Sequence, residues 1–388
     1  MKLCIKNIDI YSESGFIKNG SLIVDGEIIA EISSEQVTHR NSEIIDGENL
    51  IAIPGFIDSH CHGGGGFDCN NGDLESILGA CDFHGKHGVT LIYPSLAAND
   101  LDTMEKGLKS IRKAMKLNKP GKPQIGGCHL EGPFLNKKYK GAQAEEHILT
   151  LNDEYLKLYD RYKDVIRRTT IAPEVEQNVE YFPSIKSMGI QISIGHSCAT
   201  INEVEYAINK GATSVTHLYN AMSQTKKEGA FRVGGVVEAA LTFDSLYAEI
   251  IADGWHLPKE LLQIAYKCKG ADKLIICSDA NMAAGSKHGQ IIHSCGMTYI
   301  IEHGVAMNET RTSLASSISP IDTMVRHLIF NVKHPIADVI KMSGATVAKL
   351  LNIYAHKGSV STGKDADINI VDKNFDIVMT LCKGKINY

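Results

Sequence analysis

Short apolar runs alternate with amphipathic stretches from residue 55 to residue 279, and most of the runs end on a residue able to bind a metal or carry a proton. That rhythm points to a parallel sheet, because each strand has to return through a helical crossover to lie beside the last. Eight runs read as strands: Gly55–His60, Val89–Pro94, Ile125–Glu131, Thr169–Ala172, Ile190–His196, Ser214–His217, Tyr247–Asp253 and Leu274–Asp279. Eight parallel strands close into a TIM-type (β/α)8 barrel, an α/β fold whose active sites lie at the C-terminal ends of the strands. Those ends carry His60 and His62, Glu131, His196, His217, Asp253 with His256, and Asp279. A doubly wound sheet would need a glycine-rich phosphate turn opening a helix. Gly63–Gly66 runs instead into Phe67-Asp68-Cys69-Asn70, which is no helix start.

A barrel of roughly 250 residues leaves part of this chain over, and the two ends share a different texture. Leu3–Ile10, Ser21–Val24 and Ile28–Ile32 near the start, with Gly358–Val360, Asp367–Val371 and Ile377–Leu381 near the end, are β-type segments. Turn signals such as Asp25-Gly26 and Asp46-Gly47 punctuate them. The expected organisation is a small β-sandwich domain from residues 1–53 and 355–388, around a catalytic barrel spanning 54–354.

Lys and Arg total 40 against 45 Asp and Glu, and no long basic run offers a grip on a nucleic-acid backbone. Nucleic acid is therefore not an expected partner. No stretch approaches the ~20 apolar residues of a membrane span, and Met1–Ile10 lacks the apolar core of a signal peptide. A cytoplasmic protein without a membrane partner is expected. The ten cysteines are scattered without a Cys-x-x-Cys pair, which reads as buried, reduced thiols.

In Pro54-Gly55-Phe56-Ile57-Asp58-Ser59-His60-Cys61-His62, strand periodicity puts His60 and His62 on one face and Cys61 on the other. Two such imidazoles can grip a metal, and satisfied histidines at a strand end are the plainer alternative. Glu131, His196 and His217 end separate strands, and a barrel mouth is where they would converge on a divalent cation such as Zn or Fe. His129 shares the face of Glu131 one layer deeper and reads as a buried supporting histidine. Asp279 closes the eighth run. A carboxylate there can take a proton from water at such a cation and return it to a leaving nitrogen, although an aspartate at a strand end is also a common helix cap. His84, His87, His147, His288, His327 and His356 fall in polar helix- or loop-like surroundings and receive no role.

With these residues in place, the chain resembles the amidohydrolase superfamily and, within it, the N-acetylglucosamine-6-phosphate deacetylase family, over essentially its whole length. The resemblance is carried by His129-Leu130-Glu131-Gly132-Pro133-Phe134, Lys140-Gly141-Ala142-Gln143 and Gly195-His196-Ser197. It continues in Thr216-His217-Leu218-Tyr219-Asn220-Ala221-Met222, Ala252-Asp253-Gly254-Trp255-His256 and Ser278-Asp279-Ala280. It implies hydrolysis of N-acetylglucosamine 6-phosphate to glucosamine 6-phosphate and acetate in amino-sugar catabolism. The galactosamine epimer is the alternative substrate; a silent binding relative would lack ligands that are all present here.

The same resemblance implies a catalytic divalent metal, Zn or Fe, on Glu131, His196 and His217. His60 and His62 match members with a second ion, so one or two per subunit are implied, Glu131 bridging where there are two. Thr169–Glu174 holds no lysine, unlike relatives that bridge two metals through a carboxylated lysine. Asp279 is the implied base. Asn220, Ala221 and His256 would meet the phosphate end with Arg232, which in the family reaches across a homodimer interface. Ala142 and Gln143 would line the sugar, with Leu314 and Ala315 completing the substrate contacts. Three features depart from the pattern: a longer Ser223–Phe231 loop, Glu238 at a position usually small, and Ser316 in place of a glycine.

Overall fold

A computed structural model of the chain describes residues 2–39, 42–294 and 297–388. Cys295, one of the thiols expected to be buried, lies outside them. Eight strands form the barrel: β1 (Phe56–Cys61), β2 (Val89–Ala97), β3 (Cys128–Glu131), β4 (Ile166–Ile171), β5 (Gln191–Ile194), β6 (Ala212–Val215), β7 (Tyr247–Ile250) and β8 (Leu274–Ile276). Each pairs in parallel with the next. Past the end of β8, Asp279 N donates to His60 O at 2.9 Å and Ala280 bridges Cys61 in parallel, which brings the last strand back to the first.

Both faces of these strands are covered, so they read as nearly continuous buried runs; every residue of β1 is buried. Several of the crossover helices begin where side chains satisfy free backbone donors. Asp73 caps Leu74–Gly85 at Ser76 N, Asp100 caps Leu101–Met115 at Thr103 N, and Thr200 with Glu203 forms a capping box on Ile201–Lys210. On the second of these, Met104, Leu108 and Ile111 recur at helical spacing and pack into the main core.

Several strands are shorter than their apolar runs. β5, β6 and β8 stop before His196, His217 and Asp279, whose φ values are 47°, 29° and 43°. A left-handed residue breaks the alternation of a strand and can turn its side chain to the mouth of the barrel. The chain also holds an unforeseen three-stranded antiparallel sheet, Ile291–Ser294, Met297–Glu302 and Val305–Asn308. It carries Ser313–Ser317 back to the mouth, where Ser317 N donates to Asp279 O at 2.8 Å and Asn281 Nδ2 to Ala315 O at 2.7 Å.

The two chain ends build one eight-stranded sheet. Lys2–Ser12 pairs along its length with Gly15–Asp25, while Ser42–Asp46 and Ile51–Pro54 share its other edge, so the sheet forks there. Ile368–Val371 from the C-terminal end joins Ile51–Pro54 antiparallel. Leu3, Ile5, Ile8, Leu22, Ile368 and Leu381 fill its separate core. No helix among the described residues is long and apolar enough to cross a membrane.

Of the described cysteines, Cys268 is exposed and Cys198 half-buried, correcting the expectation of uniform burial. His84 is also corrected. It is fully buried, its Nε2 2.9 Å from Gly63 O and 3.1 Å from Cys61 Sγ. It lies on the apolar side of its helix, where residue polarity alone misled.

Asn369 fastens the sheet to the barrel. Its Nδ2 donates to Gly88 O at 2.8 Å, and its Oδ1 accepts from Thr380 Oγ1 at 3.0 Å, all in a fully buried setting. Asn369→Ala should cost about 1–3 kcal/mol, because it leaves buried groups without partners. A denaturant midpoint should fall accordingly while turnover by the folded enzyme stays near normal.

Candidate active site

The centre of the barrel mouth is the Glu131 carboxylate at the end of β3. Its Oε1 lies 3.1 Å from His196 Nε2 and 3.0 Å from His217 Nε2, at the ends of β5 and β6. Its Oε2 lies 3.1 Å from His62 Nε2 and accepts from Gln143 Nε2 at 2.7 Å. His60 and His62 do share one face: their Nε2 atoms are 3.1 Å apart, and Cys61 points the other way, to His84. Asp279 Oδ1 completes the group, 3.4 Å from His60 Nε2 and 3.5 Å from His62 Nε2.

These donors fit a metal. Two groups, His60–His62–Glu131 and Glu131–His196–His217, each place all their ligand atoms within 4.8 Å of one another. His196 Nδ1 sits 2.9 Å from Tyr139 O, which can only accept, so Nδ1 carries the proton and Nε2 keeps its lone pair. His196 Nε2 and His217 Nε2 nevertheless stand 3.1 Å apart. With the Glu131 oxygen 3.1 Å from His196 Nε2 and 3.0 Å from His217 Nε2, these donor atoms converge as the ligands of one divalent cation would.

Electrostatics separates the two carboxyls. Burial opposes ionisation of Glu131, but His60, His196 and His217 outweigh it and hold the group well below its usual range. Burial and then the charge of Glu131 push Asp279 well above its own. One carboxylate is thus suited to remain an ionised ligand and the other to carry a proton. Burial depresses His60 to about 4; His62, also buried, is raised to about 9 because Glu131, Asp279 and Asp68 outweigh desolvation.

Below this layer His129 occupies the supporting position expected of it, 3.0 Å from Ser95 Oγ and 2.8 Å from Thr170 Oγ1, its ring edge-on to His60. The larger support was not foreseen. Glu249 on β7 faces His60 Nδ1 at 3.3 Å, accepts from Ser59 Oγ at 3.1 Å and pairs with the fully buried Arg168 of β4. Charged residues inside apolar runs were the available signal, since buried charges require partners. Glu174, also missed, binds the loop after β5, accepting from Ser197 Oγ at 2.7 Å and Cys198 N at 2.6 Å.

Two clefts meet at Glu131. One of about 400 Å³ is lined by Glu131, His196, His217, Asp279, Ala142, Gln143, Asn220, Ala221, His256 and Leu314. The other, about 330 Å³, opens on the His62 side and includes Asn281 and Ala315; Ala142, Gln143 and Ser316 line both. His256 is oriented by Asp253, 2.7 Å from its Nδ1.

Arg232 lies apart, exposed on an antiparallel hairpin of Lys226–Glu228 and Phe231–Val233 and outside both linings. The longer loop is this hairpin. Glu238 ties its base, accepting from Thr225 N at 3.1 Å and Gly235 N at 2.7 Å. Ser316 adopts φ 54°, the conformation a glycine would take freely.

A closed parallel barrel whose mouth gathers four imidazoles and two carboxylates is the frame of a metal-dependent hydrolase. The amidohydrolase family pattern matches residues 51–387, and the chain belongs to that family. It is 31% identical over 390 residues to the N-acetylglucosamine-6-phosphate deacetylase of Bacillus subtilis, spanning 100% of this chain and 97% of the relative. An N-acetylgalactosamine-6-phosphate deacetylase from Escherichia coli O157:H7 is 28% identical over 381 residues, 97% of each chain. The crystal structure of N-acetylglucosamine-6-phosphate deacetylase from Pasteurella multocida superimposes with a TM-score of 0.93 at 29% identity, covering 100% of this chain and 99% of the other.

Arg168→Met should destabilise the fold by about 3–5 kcal/mol, because it strands the Glu249 carboxylate in the barrel interior. Thermal or denaturant unfolding reads the loss. The Glu249 carboxylate that faces His60 Nδ1 at 3.3 Å then loses the cation that fixes it.

Proposed function

We propose that this chain hydrolyses N-acetylglucosamine 6-phosphate to glucosamine 6-phosphate and acetate, as a cytosolic step of amino-sugar catabolism. The observation that carries the reading is a buried Glu131–imidazole cluster beside Asp279, opening into a polar cleft with Asn220, Ala221 and His256. In this reading residues 54–354 are the catalytic barrel, and 1–53 with 355–388 its small β domain.

Glu131, His196 and His217 would hold the catalytic divalent cation, Zn or Fe, and His60 with His62 a second ion where one is used. A cation there supplies Lewis acidity at an amide carbonyl and acidifies water. Asp279 takes the proton from the attacking water as its oxygen bonds to the acetyl carbon. The same carboxyl then returns that proton to the sugar nitrogen as the C–N bond breaks, releasing acetate and the amine. His256, steadied by Asp253, orients the sugar phosphate with Asn220 and Ala221, and Ala142, Gln143, Leu314 and Ala315 border the sugar.

The galactosamine epimer is the second reading, favoured by the relative that carries that name. Acetate release from both epimers by freshly purified, metal-analysed protein separates the two. Asp279→Asn should keep its metal and lose about 10²–10⁴-fold in turnover. Glu131→Gln should lose the catalytic metal itself, and changing His60 and His62 together only a second ion. Near-normal turnover by folded, metal-loaded Asp279→Asn would remove it from the proton path.

Arg232 is proposed to reach the phosphate of a partner subunit in a homodimer, where its planar fork suits a dianion. Mixing Arg232→Ala with Asp279→Asn chains should then restore activity, because one composite site has both residues intact. No restoration despite demonstrated subunit exchange would confine Arg232 to its own chain.

A further inference from the structure

We propose that Lys138 is the cation by which each subunit recognises the 6-phosphate within its own cleft; the inference rests on the phosphosugar reading above. Among the described residues lining the cleft that holds His196, His217, Asn220, Ala221 and His256, Lys138 is the only lysine or arginine. The same lining contains Glu131 and Asp279, so a dianion entering it needs a positive charge away from those carboxylates. Arg232 of the same chain is outside the lining.

The backbone of Lys138 is anchored to the catalytic centre. It sits in the short helical turn Lys137–Tyr139, which Asn136 caps by accepting from Lys138 N at 2.9 Å. Asn136 N donates to His196 O at 2.9 Å, and Tyr139 O takes the Nδ1 proton of His196, also at 2.9 Å. The backbone of the turn is therefore fastened at both ends to a proposed metal ligand, while the Lys138 side chain itself stays exposed at the cleft.

Three neighbouring charges are already engaged. Lys140 Nζ donates to Gln143 O at 3.2 Å and Lys226 pairs with Glu228 at 2.7 Å. Glu174 accepts from Asn136 Nδ2, Ser197 Oγ and Cys198 N. Lys138 forms no ion pair among the described residues. An ammonium on a long flexible stem is suited to meet phosphate as a point charge. Phosphate recognition is then divided between Lys138 within the subunit and Arg232 from the partner.

The test compares metal-loaded wild type, Lys138→Ala and Lys138→Arg on N-acetylglucosamine 6-phosphate and on N-acetylglucosamine, with inorganic phosphate as a competing inhibitor. Lys138→Ala should raise KM for the phosphosugar about 10–100-fold, the size of one lost charge-assisted contact, with kcat within about twofold. It should weaken inhibition by phosphate to a similar degree and leave kcat/KM on the unphosphorylated sugar unchanged. Lys138→Arg should recover most of the loss. An equal proportional loss on both sugars, or an unchanged KM for the phosphosugar in an active enzyme, would overturn the role of Lys138 alone. Wild-type enzyme that releases no acetate from the phosphosugar would instead overturn the underlying reading.

Discussion

Everything at the mouth of this barrel is arranged around one buried carboxylate. Glu131 divides its two oxygens, Oε1 toward His196 and His217 and Oε2 toward His62 and Gln143. That division works only if the ends of β1, β3, β5 and β6 stand level. Parallel pairing around the barrel sets the level, and the Asp279 N to His60 O bond holds the last strand against the first. His196, His217 and Asp279 turn in through left-handed backbone, a conformation that costs on the order of 1–3 kcal/mol per residue unless surrounding structure enforces it. Asn136 N on His196 O, Leu218 N on Glu249 O and Ser317 N on Asp279 O are part of that enforcement.

Buried imidazoles beside a buried carboxylate also need a floor. The pairing of Arg168 with Glu249 provides it, placing a negative group behind His60 Nδ1 and a neutralising cation behind that. Replacing such a pair by apolar residues is often neutral for stability, whereas removing one member is not. Here the orientation of His60 gives the pair a reason to exist beyond stability.

The parallel barrel, the sheet built from both chain ends and the Glu131–imidazole–Asp279 set were legible in the sequence, because each follows from periodicity or from what stands at a strand end. His129 beneath His60 was legible for the same reason. The Arg168–Glu249 pair was not, since its partners sit on β4 and β7 and only closure of the barrel brings them together. His84 was misread because its helix was judged by residue polarity and not by the face it buries. The antiparallel sheet that returns Ser313–Ser317 to the mouth follows the last barrel strand and is invisible to a βα rhythm. The Ser223–Phe231 loop looked merely long; that it folds as a hairpin depends on Glu238, whose carboxylate holds Thr225 N and Gly235 N together.

Where the departures fall has a physical reason. The proposed metal ligands stand at or just past strand ends, whose positions are fixed by neighbours on both sides. The proposed phosphate and sugar contacts rest on loops: the Lys137–Tyr139 turn, the hairpin bearing Arg232 and the Ser313–Ser317 return. Loops tolerate insertion and exchange so long as their anchors hold. Glu238 is such an anchor, and it makes sense of a carboxylate where the family has a small residue: a longer loop needs a firmer base. Ser316 keeps the left-handed backbone that a glycine would adopt, so the mouth retains its contour while gaining a hydroxyl on the wall shared by both clefts. On the proposed reading the chemistry is held by the barrel, whereas the choice of sugar and phosphate lies in segments that can change without disturbing it.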